Sequence, residues 1–311
     1  MSNRIEVLLA TYNSADYLQD MLDSLAAQSF DDFHLVVSDD CSSDATVQIV
    51  ASMSDRFRNP VEIIERQTPS GSASANFAAL LAQSRGDYVF LCDHDDLWRP
   101  GKIQAALDQI RGAEDHSGVD TPILYHSDLE VIDAQGNTIH PSYWAFKKIS
   151  ADAGRNLPQA LVHATVTGCA AAMNRAMVAQ LGGIPNDAIM HDWWINLVAA
   201  ATGQVICDPV AHIGYRIHGN NVSAPREISP LAALGQFDKL KRARMNFRRR
   251  YAQGRALRDH LDGRLSPEKQ GQLERFAHIP GVPFGVRQLA LVRGGFLWPG
   301  VWRNIVQLPF A

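Results

Sequence analysis

A chain of 311 residues, 46% hydrophobic and 20% charged, has enough apolar material for a sizeable core in one large domain or two smaller ones, which excludes a disordered chain. Its net charge of −4 points to no charged partner, but the charge is unevenly spread. Residues 239–264 hold ten Lys or Arg against two Asp, a net +8, so the rest of the chain carries −12. Cys41, Cys92, Cys169 and Cys207 are far apart with no CxxC spacing, as expected of reduced thiols in a cytoplasmic protein. No signal-peptide pattern opens the chain, and no uncharged apolar run reaches the ~20 residues that cross a bilayer, so neither a leader nor a span is expected.

The first hundred residues alternate two kinds of pattern. Residues 5–10 are a short apolar run, and 14–28 place Tyr17, Met21, Leu22 and Leu25 at helical spacing. A second run, 34–38, ends in acids; Asp44 can cap a helix beginning at Ala45. Residues 61–65 read as a third strand. Residues 72–84 read as a helix with Phe77, Leu80 and Leu81 on one side. Residues 88–92 are a fourth strand, and Pro100 suits the first turn of the next helix. Strands spaced by helices predict βαβ units and an α/β, doubly wound, largely parallel sheet. Beyond residue 120 the pattern loosens. Strands are expected at 123–125, 129–132, 205–207 and 212–217, a small-residue strand or turn at 168–174, and helices at 178–181 and 191–201. A domain boundary is expected near 225–235, where Pro225 and Pro230 precede the basic segment.

The polar clusters follow the strands. Thr11-Tyr12-Asn13 follows the first, Asp39-Asp40 the second and Asp93-His94-Asp95-Asp96 the fourth. Any one of them alone is an ordinary strand-ending turn. In an open α/β sheet, however, ligands bind outside the carboxyl ends of the strands, so the three should converge on one crevice. Carboxylates two apart at a strand end suit a hard cation, Mg²⁺ or Mn²⁺, whose shell a diphosphate completes. Such an ion stabilises a diphosphate leaving group.

Three segments carry a specific resemblance. Ile5-Glu6-Val7-Leu8-Leu9-Ala10-Thr11-Tyr12-Asn13, Val36-Val37-Ser38-Asp39-Asp40-Cys41-Ser42-Ser43-Asp44 and Gly86-Asp87-Tyr88-Val89-Phe90-Leu91-Cys92-Asp93-His94-Asp95-Asp96-Leu97-Trp98 resemble the opening strand, the nucleotide-binding segment and the D-x-D strand of family 2 inverting glycosyltransferases of GT-A fold. Thr167-Gly168-Cys169, His191-Asp192-Trp193-Trp194 and Tyr215-Arg216-Ile217-His218-Gly219-Asn220-Asn221-Val222 are similar to its rhamnosyltransferase-like branch. The resemblance runs over about residues 4–224, in order. It implies that Thr11, Tyr12, Asn13, Asp40 and Asp93 hold the nucleotide, with Asp40 on the base and Asp93 on the ribose. Asp95 would bind Mn²⁺ or Mg²⁺ with His218 as a further metal or diphosphate ligand, and Gly168 and Arg216 would lie at the sugar. His94 stands where the family often has a small or amide residue; packing is its expected role.

Inversion by single displacement needs one carboxylate to take the acceptor's proton, and Asp192 is the choice. At a helix start it would otherwise be read as an N-cap. Trp193 and Trp194 point in different directions on that helix, so one is expected to offer a flat face to a sugar. His218 also reads as a turn histidine, and Arg216 as the partner of a carboxylate or phosphate.

The basic segment reads as an amphipathic helix over 239–258. Leu240, Ala243, Phe247 and Tyr251 lie on one face, and Lys241, Arg244, Arg248 and Arg255 on another. From Pro280 onward there is no acid, and Phe284, Phe296, Leu297, Trp298, Trp302, Ile305 and Phe310 are interleaved with three arginines, a composition suited to an interfacial segment. The expectation is a GT-A domain over 1–228 and a basic, helical extension over 229–311, peripheral on the inner face of the cytoplasmic membrane through 239–311 or packed on the catalytic domain. The expected donor is dTDP- or UDP-linked, with L-rhamnose from dTDP-L-rhamnose foremost, and the acceptor is a surface polysaccharide or lipid-linked oligosaccharide. No nucleic-acid module is found. The rivals are a catalytically silent sugar-nucleotide-binding or scaffold protein and a nucleotidyltransferase, though no Gly-rich loop with a nearby Lys follows the first strand.

Overall fold

The computed structural model describes residues 3–219 and 236–310, except the side chains of 236–243, Val306 and Phe310. The boundary expected near 225–235 with Pro225 and Pro230, the residues Asn220, Asn221 and Val222, and the side chains of Leu240, Lys241 and Ala243 lie outside the described residues. Four strands and the helices after them open the chain: β1 (Ile5–Thr11), α1 (Ala15–Ala26), β2 (His34–Asp39), α2 (Thr46–Met53), β3 (Glu62–Glu65), α3 (Ala73–Gln83), β4 (Tyr88–Asp93), the two-residue β5 (Leu97–Trp98) and α4 (Lys102–Ser117). There follow β6 (Ile123–Ile132), β7 (Thr138–His140), α5 (Tyr143–Lys147), α6 (Leu157–Ala160), β8 (Ala171–Asn174), α7 (Arg175–Leu181), α8 (His191–Thr202) and β9 (Gln204–Arg216). The C-terminal part is helical: α9 (Gln236–His260), α10 (Pro267–His278), α11 (Phe284–Arg293) and α12 (Val301–Gln307).

The sheet order is β3-β2-β1-β4-β8-β6-β9-β5, with β7 paired to β6. The strands β3, β2, β1 and β4 run parallel, as do β6 and β9; β8 enters antiparallel between β4 and β6. Strand β1 is buried along its whole length, as a parallel strand covered on both faces must be. Its side chains alternate between two cores. Leu8 and Ala10 pack with α3 and α8, while Ile5, Val7 and Leu9 pack with α1 and α4. Because β2 lies on one side of β1 and β4 on the other, the sheet has its topological switch beside β1, where a crevice opens at the strand ends.

Two pairs of expected strands are single ones. The runs at 123–125 and 129–132 form the ten-residue β6, and those at 205–207 and 212–217 form β9. Irregular register between the two strands at Ser127, Asp128 and Glu130 absorbs the polar interruption. Pro100 stands just before α4 rather than in its first turn.

The C-terminal helices share a core with the sheet's α3/α8 face. Phe247, Tyr251, Leu257, Leu273, Phe276, Leu291, Phe296 and Trp298 are buried in one cluster with Trp193, Trp194 and Leu161. Phe296 and Trp298, read from sequence as interfacial, therefore point inward. Gly254 of α9 lies against the Phe276 ring, which a Cβ would meet at 2.6 Å, so α9 and α10 cross at a position only glycine fills without displacement. Among the described residues no helix is long and apolar enough to cross a membrane.

Candidate active site

A cleft of about 620 Å³ opens at the carboxyl ends of β1, β2 and β4. It is within the range of small-molecule and cofactor sites. Thr11, Tyr12, Asn13, Asp40, Asp93, His94, Asp95, Gly168, Asp192 and His218 all line it. Trp193, Trp194 and Arg216 do not.

The floor is tied together by hydrogen bonds between strand ends. Thr11 Oγ1 donates to Asp39 Oδ1 at 2.9 Å, and Asp39 also accepts from the Ser42 amide and hydroxyl at 2.8 and 2.6 Å. Thr11 is thus committed to joining β1 to β2 while its surface lines the cleft. Asn13 and Cys41, just past those two strands, hold φ of +46° and +65°, and the Asn13 Oδ1 accepts from the Ser43 amide at 2.9 Å. Left-handed non-glycine residues of this kind cluster at functional sites. Tyr12 is 57% exposed at the cleft mouth. Asp40 accepts from Ser70 Oγ at 2.7 Å and lies 3.4 Å from Arg66 Nε.

The acidic turn after β4 divides by burial. Asp95 Oδ2 lies 2.8 Å from His218 Nε2, and the His218 ring stacks near Tyr17 at 4.7 Å between centroids. Asp96 is fully buried and accepts from the Arg216 amide at 3.0 Å. Burial, followed by the Asp95 charge, pushes the Asp96 carboxyl up to about 7. Burial, then Asp96, Asp95 and Asp192, holds Asp93 well above the usual carboxylate range. Burial pulls the His94 imidazole down.

This crowding of like charge at one strand end is what a cation relieves. The Asp95 carboxylate and His218 imidazole, in contact in the cleft wall, offer an oxygen–nitrogen donor pair that fits a divalent ion. Asp93, Asp96 and Cys169 also bring ligand atoms within 4.8 Å of one another, but only Asp93 of the three lines the cleft.

Asp192 is the second residue of α8, and Met190 occupies the cap position. Its Oδ2 accepts from the Gly168 amide at 3.2 Å, which holds the carboxylate at the cleft. A Cβ at Gly168 would meet His191 Nε2 at 2.7 Å, so glycine there lets the 168 turn close on the start of α8.

Three expected sugar contacts are corrected. Trp194 is fully buried. Trp193 is 7% exposed and donates its indole N–H to the Ala160 carbonyl at 2.7 Å. Both indoles fill the core because nearly every side of α8 is covered. Arg216 is buried behind the acidic turn. Its Nε donates to the Asp95 carbonyl at 2.8 Å, Nη1 to the Ala134 carbonyl at 2.6 Å, and its guanidinium sits 4.8 Å over the Tyr17 ring.

Other residues join the cleft without having been singled out. Asn76 donates to the Ser38 carbonyl at 2.9 Å and accepts from Ser38 Oγ at 2.6 Å, fixing α3 to β2. A polar residue beside Phe77, on the core face of a helix, was the available signal. His191 stacks on Phe77 at 4.4 Å. Tyr17, which helical spacing places on a stripe with Met21, Leu22 and Leu25, also lines the cleft.

Residues 6–182, more than half of the chain, match the family model Glycosyl transferase family 2, and the chain belongs to that family. It is 26% identical over 227 residues to the uncharacterized protein Rv1520 of Mycobacterium tuberculosis, covering 70% of this chain and 60% of that relative. The chain thus spans about 60% of the length of such curated relatives. Over 97 residues it is 37% identical to the poly(ribitol-phosphate) beta-N-acetylglucosaminyltransferase TarS of Staphylococcus aureus, covering 30% of this chain and 16% of that one. Among solved structures it is similar to S. aureus TarS 1-349, with a TM-score of 0.58 at 16% identity over 94% of this chain and 80% of that one. It is also similar to the mannosyltransferase PcManGT of Pyrobaculum calidifontis in complex with GDP-Man and Mn²⁺, with a TM-score of 0.55 at 20% identity over 95% of this chain and 74% of that one. These likenesses show the fold, which is GT-A-like.

Proposed function

We propose that the chain is an inverting, divalent-metal-dependent glycosyltransferase acting on a nucleotide-sugar donor. One observation carries the reading: residues from five separated segments, 11–13, 40, 93–95, 192 and 218, line a single cleft in which Asp95 meets His218. In this reading Asp40 faces the base, Asp93 the ribose, and Tyr12 and Asn13 the nucleotide. Mn²⁺ or Mg²⁺ held by Asp95 and His218 would stabilise the charge that develops on the diphosphate. Asp192 takes the proton of the acceptor hydroxyl as its oxygen attacks the anomeric carbon, and the bond to the diphosphate breaks with inversion.

The sequence resemblance favours L-rhamnose from dTDP-L-rhamnose. A TarS structure titled as a complex with UDP-GlcNAc keeps UDP-linked donors in view. Relatives named for poly(ribitol-phosphate) glycosylation and succinoglycan biosynthesis favour a polysaccharide acceptor; a lipid-linked precursor of it and action on the cytoplasmic side are part of the proposal. A catalytic unit over 1–228 and an extension over 229–311 that seats it on the membrane belong to the same reading.

The test is release of nucleoside diphosphate from dTDP-L-rhamnose, UDP-GlcNAc and GDP-mannose, with Mn²⁺ and with EDTA. The expected result is diphosphate release from one donor with Mn²⁺, lost with EDTA. Release of sugar 1-phosphate, with the nucleoside monophosphate group transferred, would identify a nucleotidyltransferase, and metal-dependent binding without release a silent binding protein.

A further inference from the structure

The C-terminal helices bury one face and leave the other uncovered. Their inner residues Leu291, Phe296 and Trp298 sit in the main core. Gln288 Nε2 donates to the Leu308 carbonyl at 3.1 Å, which ties α11 to the turn after α12, and Arg303 Nη2 donates to the Lys147 carbonyl at 3.2 Å, which anchors this layer on the catalytic body. Outward, Val286, Leu289 and Val292 share one stripe of α11 with Arg293, at helical spacing. Val301, Trp302 and Ile305 share the outer face of α12, and Trp302 is 80% exposed. Apolar side chains grouped in this way on a packed surface mark an interaction site rather than the scattered exposure normal on any protein.

We infer that the outer face of α11 and α12 is a docking surface for an anionic lipid bilayer, an inference that rests on the proposed seating of the extension on a membrane and not on the proposed transfer reaction. The two helices themselves carry charge of one sign: residues 280–310 contain three arginines and no Asp or Glu, and Arg293 is exposed on the apolar stripe of α11. Exposed Trp, Leu, Ile and Val with arginines among them are what an interfacial helix presents: the apolar chains enter the headgroup boundary and the cations meet lipid phosphates. A second copy of the chain would set arginine against arginine, and a bilayer of anionic lipids supplies the complementary charge. The arrangement differs from a span, because the helices lie on the body and bury only their outer faces.

The experiment is co-sedimentation of the full chain with phosphatidylcholine vesicles, with and without phosphatidylglycerol. Binding is expected to be about tenfold stronger or more with the anionic lipid and to weaken as salt rises. Trp302→Glu and Ile305→Glu should each weaken it by about tenfold, because a charge replaces a side chain that enters the interface. Val119→Glu, which alters a 69% exposed apolar residue between α4 and β6, should leave it unchanged. Light scattering and thermal melting of each variant show that it stays folded, and nucleotide release in solution stays at the wild-type rate. A chain left in the supernatant with both vesicle types overturns the proposal, as does equal binding by Trp302→Glu. Self-association abolished by Trp302→Glu, without vesicle binding, would replace the bilayer with a second copy.

Discussion

Arg216 shapes the cleft from behind. Its guanidinium and amide hold the Asp95 carbonyl and the Asp96 carboxylate, and two residues later the same strand end delivers His218 to Asp95. The D-x-D turn was legible because acids after an apolar strand are a local pattern. Its brace was not, because it comes from 120 residues away. The tryptophans failed for a different reason. Beside Asp192 they resemble a sugar platform, but no charged residue follows Asp192 before the end of α8, and a helix apolar on every side is a core helix. Trp194→Ala is therefore expected to cost about 3–5 kcal/mol in denaturant unfolding. The KM for donor measured on the folded protein should not move; a raised KM at unchanged stability would return Trp194 to the site.

At the scale of elements, strands and helices of the first hundred residues were readable because each has its own period. The breaks read into β6 and β9 were buried polar residues whose partners are distant. His126, Ser127 and Asp128 are all buried, with Asp128 accepting from the Trp144 amide at 3.0 Å, and Asp208 accepts from the Tyr125 hydroxyl at 2.7 Å. A sequence window cannot supply those partners. The extension offers a test of sign. In an exposed helix Gly254→Ala would stabilise by about 0.5–1 kcal/mol. Against Phe276 it must displace a buried ring, and overpacking of this kind costs about 1–3 kcal/mol. A lowered Tm is expected; a raised one would mean that α9 and α10 do not pack in this way.

For the whole molecule, acid stability reflects buried groups of opposite sign. Burial drives His126 down to about 3, with Arg155 adding to it, so the native state stays neutral while the unfolded chain takes a proton near 6.5. Stability is then lost as pH falls below that value, at up to about 1.4 kcal/mol per unit. Asp96, raised in the fold, acts the other way between about 7 and 4. The comparison with His126→Gln isolates the histidine. Between pH 7 and 5 the wild type should lose about 2 kcal/mol more than the variant, measured by urea unfolding. Equal losses would mean that His126 is solvated or paired. The fold itself serves one arrangement, a cleft in which the acids after β4 face the start of α8. Asp192→Asn tests that arrangement most directly, with calorimetric titration of the donor that the wild type turns over run beside a transfer assay in Mn²⁺. Donor affinity should be retained while transfer falls by about 10²–10⁴-fold. Near-normal transfer by Asp192→Asn would contradict the account.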